Sequence, residues 1–387
     1  MIGCLGKLTQ LGDSNEDGSL CRYIQSRRLP WVIDMHTCKI LLVLLLFAGQ
    51  ANAVDSTTVA FGSCLRQWKP APILDSVRSL APDAFIFAGD NVYTDTGLFR
   101  FKREPERIAK AYQQLAESSD YRALKDSTQL FATWDDHDYG RNNAGAEYQW
   151  KEEAKQQFMR FFDIPEDSPV RRRPGIYAAH YLGDDDQRIQ ILLLDTRTFR
   201  SPLEYGEPDQ QCPRSRLVAT QDGSTTVLGD AQWRWLSDQL KQPAALRLIV
   251  SSIQLIPDGH CYEKWGNFPH ERQRLIQLIR DSGAKHTIII SGDRHLGEIS
   301  RLPSVGKSFP LYEVTASGLN SAGAGKGEHN PYRVTTDNVR VDHFGSVRFI
   351  QGEPPTVELT LHDIEGKVIQ RYLIDYSSWE PLSSTAG

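Results

Sequence analysis

Residues 133–143 read T-W-D-D-H-D-Y-G-R-N-N and directly follow an apolar, β-prone run. The stretch contains the carboxylates of Asp135, Asp136 and Asp138, the imidazole of His137 and two adjacent amides. Neighbouring carboxylates repel each other unless a cation lies between them. The stretch therefore predicts a divalent or trivalent metal held at the end of a strand. The alternative interpretation is an acidic, Asx-rich turn that binds no metal.

On either side of this stretch, predicted strands alternate with predicted helices. Apolar or alternating runs predict strands at Thr57–Phe61, Ala84–Ala88, Gln129–Trp134, Ile189–Leu194, Leu246–Ser252, Thr287–Ile290 and Pro310–Ala316. Helical spacing predicts helices at Ile73–Leu80, Arg103–Ala116, Trp150–Phe162, Asp230–Lys241 and Phe268–Asp281. An antiparallel set closes the chain at Gly345–Ile350, Thr356–His362 and Val368–Ile374. The pattern predicts one α/β domain over residues 54–376 and a C-terminal tail over residues 377–387.

Polar residues follow the predicted strands in the same way as in the opening stretch. They include Cys64, Asp90, Asp195, Asp293 and His295. In an open α/β sheet, ligands bind at the carboxyl ends of the strands. We therefore expect these groups to converge on one site, although they lie far apart in the sequence.

The ligand types predict two unlike metals. A thiolate from Cys64, a phenolate from Tyr93 and an imidazole suit a transition ion such as Fe(III). Asp, Asn and carbonyl oxygens suit Ca²⁺ or Mg²⁺. Two cations about 3.5–4 Å apart, bridged by a carboxylate, generate a hydroxide and hold the oxygens of a phosphate during in-line displacement.

The N-terminal region predicts export. The chain has 387 residues, 40% of them hydrophobic, and a formal charge of −5, which gives no indication of a nucleic-acid partner. Residues 35–53 read as a secretory signal peptide cleaved near Ala53, and the run Ile40–Ala48 is too short to span a bilayer. Residues 1–34 are then an extended leader or a start-site artefact, in which Ser26-Arg27-Arg28 weakly resembles a twin-arginine signal. The mature protein is predicted to be periplasmic or secreted, without a stable membrane span.

Three cysteines follow the predicted cleavage site, namely Cys64, Cys212 and Cys261. Disulfides form in exported proteins, and Cys212 and Cys261 both lie in Pro- or Gly-containing loops, so we predict that these two are bonded. Cys64 is then either a metal ligand or a small buried hydrophobe.

Seven motifs resemble those of the PhoD-like alkaline phosphatases, a branch of the calcineurin-like metallophosphoesterases. They are G-S-C at 62–64, G-D-N-V-Y at 89–93, W-D-D-H-D with N-N at 134–143, L-D-T-R at 194–197, W-G-N-F-P-H-E-R-Q-R-L at 265–275, G-D-R-H at 292–295 and S-G-L-N at 317–320. The resemblance runs in order across residues 54–376. It implies a four-layer α/β/β/α sandwich with mixed sheets, export, and hydrolysis of phosphomonoesters and phosphodiesters with one Fe(III) and Ca²⁺. Other divalent pairs, such as Mn²⁺, Mg²⁺ or Zn²⁺, are the alternative metals.

The resemblance also implies roles for individual residues. Cys64, Asp90, Tyr93 and His295 match the iron-side ligands, with Asp90 bridging to the second metal. Asp136 and Asp293 match the second-metal side, with Asn142 or Asn143 as a further ligand to calcium or phosphate. His137 matches the histidine that assists the leaving group or steadies the phosphate. Arg197 matches an arginine that either binds the phosphate or braces the sheet edge. His260 is a candidate substrate contact and Trp265 a candidate wall of the pocket.

The sequence thus predicts an exported metal-dependent phosphoesterase in which a metal-bound hydroxide attacks phosphorus. The first alternative is a phospholipase D-type phosphodiesterase acting on lipids or teichoic-acid-like polymers. The second is a calcium-binding protein without catalytic activity.

Overall fold

The computed structural model describes residues 55–96, 104–184, 187–210, 212, 216–306 and 308–382. All of them belong to one of the two compact units of the chain, Val54–Gly387. The predicted leader, signal peptide and cleavage site at Ala53 lie outside the described residues. Among the described residues, no helix combines the length and the apolarity needed to cross a bilayer.

The first sheet contains seven strands. In spatial order they are β15 (Glu380–Pro381), β14 (Val368–Asp375), β13 (Thr356–Asp363), β12 (His343–Ile350), β1 (Ser56–Gly62), β2 (Ala84–Ala88) and β3 (Gln129–Thr133). β1, β2 and β3 are parallel, so their carboxyl ends lie at the same edge, whereas β12 to β15 pair antiparallel.

The second sheet contains six strands. In spatial order they are β10 (Gly297–Leu302), β11 (Leu311–Ala316), β9 (Thr287–Ser291), β8 (Leu246–Val250), β5 (Ile189–Leu193) and β4 (Ala178–Leu182). β5, β8, β9 and β11 are parallel, and β4 and β10 are antiparallel edges. A separate hairpin pairs β6 (Glu204–Gly206) with β7 (Arg216–Val218).

The helices cover the outer faces of the two sheets. They are α1 (Ile73–Leu80), α2 (Glu104–Ala116), α3 (Ser119–Ser127), α4 (Asp136–Tyr139), α5 (Lys151–Phe161), α6 (Gly229–Leu240) and α7 (Pro269–Asp281), with 3-10 turns at Pro169–Arg172 and Trp265–Asn267. α7 begins with a proline, whose missing N–H is not needed there, and it is followed by Gly283 with a φ of 70°, a conformation that favours glycine after a helix.

Alternate residues of the central strands face different hydrophobic cores. In β2, Ala84, Ile86 and Ala88 lie in the core between the two sheets, while Phe85 and Phe87 pack under the helices of the first sheet. A third core joins the second sheet to α6 and α7. This explains why the strand sequences are continuously apolar, since both faces are buried. The resulting α/β/β/α sandwich confirms the predicted fold class.

Several elements differ from the sequence-based expectation. α3, β4 and β10 were not predicted, and the stretch 201–226, in which no strand was predicted either, contains the β6/β7 hairpin. The expected C-terminal tail begins too early, because Trp379 is fully buried between the sheets and Glu380–Pro381 forms the edge strand β15. The folded domain therefore continues past residue 376 and includes Trp379 and the strand β15.

Cys212 and Cys261 are disulfide-bonded, as predicted, with a sequence separation of 49 residues. Replacing both by Ser is expected to lower the free energy of unfolding by about 4 kcal/mol, because the bond restricts a long loop in the unfolded chain. Denaturant unfolding of the wild type and the double variant in oxidising buffer measures this. A reductant should not change the free energy of unfolding of the variant. It should lower that of the wild type by the same amount as the double substitution does. Equal midpoints in oxidising buffer would contradict the prediction.

Candidate metal centre

The centre lies where strands of both sheets end. Asp90 follows β2 and Asp293 follows β9, and each is preceded by a glycine. A Cβ on Gly89 would lie 2.7 Å from the Asp135 Cβ, and a Cβ on Gly292 would lie 2.5 Å from the Ser63 Oγ. Only glycine therefore lets the two aspartates approach from opposite sheets.

The backbone is unusual at the predicted ligands. Of the eight described non-glycine residues with positive φ, five are predicted ligands: Cys64 (63°), Asp90 (51°), Asn143 (58°), Asp293 (66°) and His295 (54°). A left-handed conformation costs a residue with a Cβ about 1–2 kcal/mol. Such strain concentrates at functional sites, where the surrounding fold holds side chains in fixed directions.

The potential ligand atoms form three overlapping groups, all sharing Asp90. The groups are Cys64, Asp90 and His295; Asp90, Asp136 and His137; and Asp90, Asp135, Asp136 and Asp293. Within each group the ligand atoms lie within 4.8 Å of one another. The structure thus brings together seven of the residues that the sequence singled out, with Asp90 at their junction.

The acidic groups fit a bound cation. Asp136 Oδ1 and Asp135 Oδ2 are buried and have no hydrogen-bond partner among the described residues. Burial, reinforced by Asp135 and Asp136, raises the pKa of Asp293 well above its usual value, and burial also raises that of Asp90. A cation among these oxygens would satisfy the unpartnered atoms and offset the repulsion.

Cys64, Tyr93 and His295 form a mixed group around Asp90. The Cys64 thiol donates to Asp90 Oδ2 at 3.5 Å, and the Tyr93 hydroxyl donates to the same oxygen at 3.1 Å. Tyr93 also lies 2.8 Å from His295 Nε2. Burial raises the pKa of Cys64 to about 11 and lowers that of His295 to about 4. A sulfur, a phenol and a neutral imidazole around one carboxylate are the donor set expected for a transition ion.

The two asparagines contact the centre through their backbone. The Asn143 N–H donates to Asp136 Oδ2 at 2.6 Å, which fixes that carboxylate, and the Asn142 N–H donates to Asp95 Oδ2 at 2.6 Å. The Asn143 side chain donates to the hydroxyl of Tyr205 at 3.2 Å. Neither side chain belongs to the ligand groups above, which contain only His, Cys and acidic residues.

Asp95 is a residue of the site that the sequence did not indicate. Its Oδ1 lies 2.6 Å from His137 Nδ1, while the His137 N–H donates to Asp90 Oδ1 at 3.3 Å. The imidazole is therefore held between the acidic groups and a carboxylate beside it. Asp95 comes two residues after the G-D-N-V-Y motif, and that proximity is the only sequence signal that would have found it.

Arg197 is completely buried and fully engaged by carboxylates. Its Nε donates to Asp135 Oδ1 at 2.7 Å, and its Nη2 contacts the same oxygen. Its Nη1 donates to Glu263 Oε2 at 2.7 Å, and Arg200 forms a further ion pair with Glu263 at 2.9 Å. The sequence left two roles open for Arg197, binding the phosphate or bracing the sheet edge, and these contacts fit the bracing role.

Trp265 and His260, the candidate pocket wall and the candidate substrate contact, differ in their hydrogen bonding. Trp265 is fully buried, and its indole donates to Ser251 Oγ at 2.9 Å, so it presents no surface as a pocket wall. His260 is 8% exposed, and its Nδ1 accepts from the Tyr262 N–H at 3.3 Å. Its Nε2 is buried without a hydrogen-bond partner in the described part of the chain, and burial, then Arg294, lowers the pKa of the ring.

Comparison with known proteins agrees with this geometry. Residues 60–355 match the family model of the PhoD-like phosphatases. Alkaline phosphatase D of Bacillus subtilis (strain 168) is 22% identical over 292 residues, which cover 64% of this chain and 47% of that protein. The chain therefore spans about half the length of this curated relative.

Two solved structures share the fold. The structure of PhoD aligns with a TM-score of 0.66 and 17% identity, over 86% of this chain and 72% of that one. GAP50, the anchor in the inner membrane complex of Plasmodium, aligns with a TM-score of 0.52 and 12% identity, over 82% and 87% of the two chains. Since the family model covers most of the chain and includes every residue of the three ligand groups, the chain belongs to the PhoD-like phosphatase family.

Proposed function

We propose that this protein is an exported, metal-dependent phosphoesterase. The observation that carries the proposal is the set of three ligand groups that meet at Asp90, in which two buried carboxylate oxygens have no hydrogen-bond partner in the described part of the chain. With metal ions bound among these ligands, the centre would attract and polarise an anionic phosphate ester, which the carboxylates alone would repel. The Cys212–Cys261 disulfide supports export, since such bonds persist in oxidising compartments.

The donor sets suggest how two metals would be held. We assign Cys64, Asp90, Tyr93 and His295 to Fe(III). We assign Asp90, Asp136 and Asp293 to Ca²⁺, or to another divalent ion, with Asn142 or Asn143 nearby. When bound, such metals supply charge stabilisation of the phosphoryl oxygens and a lowered pKa for an attacking water.

The side chains of the protein have positioning and proton-transfer roles in this proposal. Hydrolysis forms a bond from a water oxygen to phosphorus, breaks the bond from phosphorus to the ester oxygen and leaves a proton on the departing alcohol. His137 is placed to hold that proton, because Asp95 on Nδ1 fixes the ring and leaves Nε2 for the substrate side. Arg197 stabilises Asp135 and Glu263 and does not contact the substrate.

Asp95→Asn is expected to lower kcat about 100-fold for an alkyl phosphate, which needs its leaving group protonated. The effect on p-nitrophenyl phosphate should be several-fold smaller, because p-nitrophenolate leaves without a proton. Steady-state kinetics on both esters measure the difference. Asp281→Asn, which changes an exposed carboxylate, is the matched control. An equal loss on both esters would show that Asp95 only maintains the fold of the loop.

The proposed function is tested on the purified protein with p-nitrophenyl phosphate and bis-p-nitrophenyl phosphate, with and without chelator and added Ca²⁺, beside elemental analysis. We expect chelator-sensitive turnover with bound iron and calcium. Preference for the diester would favour the phospholipase D-type phosphodiesterase. Full metal occupancy without turnover of either ester would contradict the proposal and identify a binding protein.

A further inference from the structure

Exposed aromatic side chains are concentrated at the metal centre. In the described part of the chain, four aromatic residues are largely exposed: Trp68 (39%), Tyr181 (41%), Tyr205 (62%) and Tyr262 (55%). A single exposed ring is ordinary, but several exposed rings around one site indicate a surface that contacts a ligand or partner. Two of them contact candidate ligands, Trp68 through Tyr93 and Tyr205 through Asn143, and Tyr262 contacts Arg294, the neighbour of Asp293 and His295 in the chain. We call Trp68, Tyr205 and Tyr262 the aromatic rim.

Trp68 and Tyr205 each reach the centre through one contact. Trp68 packs edge-on against Tyr93, with ring centroids 6.2 Å apart, and Tyr93 bonds both Asp90 and His295. The Tyr205 hydroxyl accepts from the Asn143 side chain, whose backbone N–H holds Asp136.

Tyr262 reaches the centre through Arg294. The guanidinium of Arg294 lies 4.3 Å from the centroid of the Tyr262 ring, and Arg294 stands between Asp293 and His295 in the chain. More than half of the tyrosine surface is nevertheless exposed. The rim therefore flanks the centre at three separate residues.

The rim residues come from different parts of the chain that the fold ties together. Trp68 follows β1, Tyr205 lies in β6 and Tyr262 lies between β8 and α7. The Cys212–Cys261 bond links the hairpin region to the residue beside Tyr262, and the Leu217 N–H donates to the Cys261 carbonyl at 2.9 Å. The fold thus holds Tyr205 and Tyr262 near each other, although 57 positions separate them in the sequence.

We propose that the aromatic rim binds the alcohol part of the substrate and selects phosphate esters that carry a flat ring, such as a nucleobase or an aryl group. The inference rests on the proposed function. With the phosphate bound by metal ions that Asp90, Asp136 and Asp293 would hold, the group esterified to it would extend to the residues that flank the centre. Aromatic side chains stack on planar rings without needing a specific hydrogen-bond pattern.

A cationic alcohol such as choline fits the rim less well. Aromatic cages bind quaternary ammonium groups, but here one guanidinium already lies over a rim ring and a second lies over the neighbouring Tyr93. Arg294 lies over Tyr262, and Arg66 lies 5.5 Å from the centroid of the Tyr93 ring that Trp68 contacts. These positive charges repel a cationic ligand and leave a neutral planar ring as the favoured occupant.

Binding is tested with phenylphosphonate and methylphosphonate, whose P–C bonds are not hydrolysed. Calorimetry on the metal-loaded protein should give a Kd about tenfold lower for phenylphosphonate, the size of one stacking contact. Tyr262→Ala and Tyr205→Ala should each reduce this preference several-fold. Tyr181→Ala removes an exposed tyrosine that contacts Gln239 and Gln190 instead, so it should leave the preference unchanged. Equal Kd values for the two phosphonates would overturn the inference.

Turnover supplies the second arm. Adenosine 5′-monophosphate and ribose 5-phosphate release the same 5′ hydroxyl and differ in the base. We expect kcat/KM to be about tenfold higher for the nucleotide. Tyr262→Ala should abolish this difference by raising KM for the nucleotide. Equal kcat/KM values for the two esters would contradict the substrate selection proposed for the aromatic rim but would agree with the proposed function. A phenyl preference in binding with neither ester hydrolysed would contradict the proposed function and support the rim. A rim-dependent preference for phosphocholine over ribose 5-phosphate would overturn the choice of a neutral ring.

Discussion

Asp90→Asn is expected to lower kcat/KM for p-nitrophenyl phosphate about a thousandfold, because one carboxylate is shared by all three ligand groups. The substitution is nearly isosteric, so the buried volume is kept. Elemental analysis should show a matching loss of bound metal. Asp281→Asn, on an exposed carboxylate of α7, should change neither quantity.

Stability separates this loss from misfolding. Without metal, Asp90 lies among Asp135, Asp136 and Asp293, and burial raises its pKa. Removing one carboxylate charge from that group is expected to leave the thermal midpoint of the chelated protein unchanged or higher. A chelated variant with a midpoint well below that of the chelated wild type would show that Asp90 has a structural role instead. Retained activity would remove Asp90 from the centre.

Arg197→Met is expected to lower the free energy of unfolding by about 3–5 kcal/mol, since it leaves buried acids without their partner. Among the described residues, Asp135 would keep the hydrogen bond from Ser252, and Glu263 would keep the ion pair with Arg200. Denaturant unfolding with the slope m checked for two-state behaviour measures the loss.

An exposed pair provides the control for this prediction. Arg78 pairs with Asp75 at 2.9 Å on α1, where both side chains are largely exposed. Arg78→Met should cost less than about 1 kcal/mol. If Arg197 instead served the phosphate, Arg197→Met would raise KM strongly with an unchanged unfolding midpoint. That result would contradict the bracing role of Arg197.

The ends of the central strands were predictable from sequence because two independent signals coincide there. Ala84–Ala88 and Thr287–Ile290 are continuous strand-like runs, followed by one and two small residues respectively and then by an aspartate. A carboxylate at the end of a buried strand is expected to bind a ligand. The fold class and the convergence of Asp90 with Asp293 follow from that coincidence. The alternation of strands and helices then determines which edge the residues share.

Residues whose role depends on a distant partner were not predictable in the same way. Asp95 meets His137 across 42 positions, and it lies in a loop without periodicity. Arg197 left two roles open because one of its partners, Glu263, lies 66 positions away. The position of a residue after a strand predicts which edge of the sheet it occupies. It does not predict which distant residue its side chain contacts.

The missed elements have local reasons. β10 contains Glu298, which is 3% exposed and paired with Arg333, so a buried charge interrupts the apolar pattern of the strand. α3 buries only Tyr121 and Leu124, which is too narrow an apolar face to recognise by spacing. Both elements depend on tertiary contacts more than on local preference.

The ligands of the centre come from both sheets, with Cys64, Asp90 and Asp136 following strands of the first and Asp293 and His295 following a strand of the second. A cation held between them would act as a non-covalent cross-link across the middle of the sandwich. Its binding energy would then oppose separation of the two halves, because a ligand that binds only the native state stabilises it. Depletion of metal in the surroundings of the protein would loosen the same junction that performs the chemistry, so activity and resistance to unfolding would decline together.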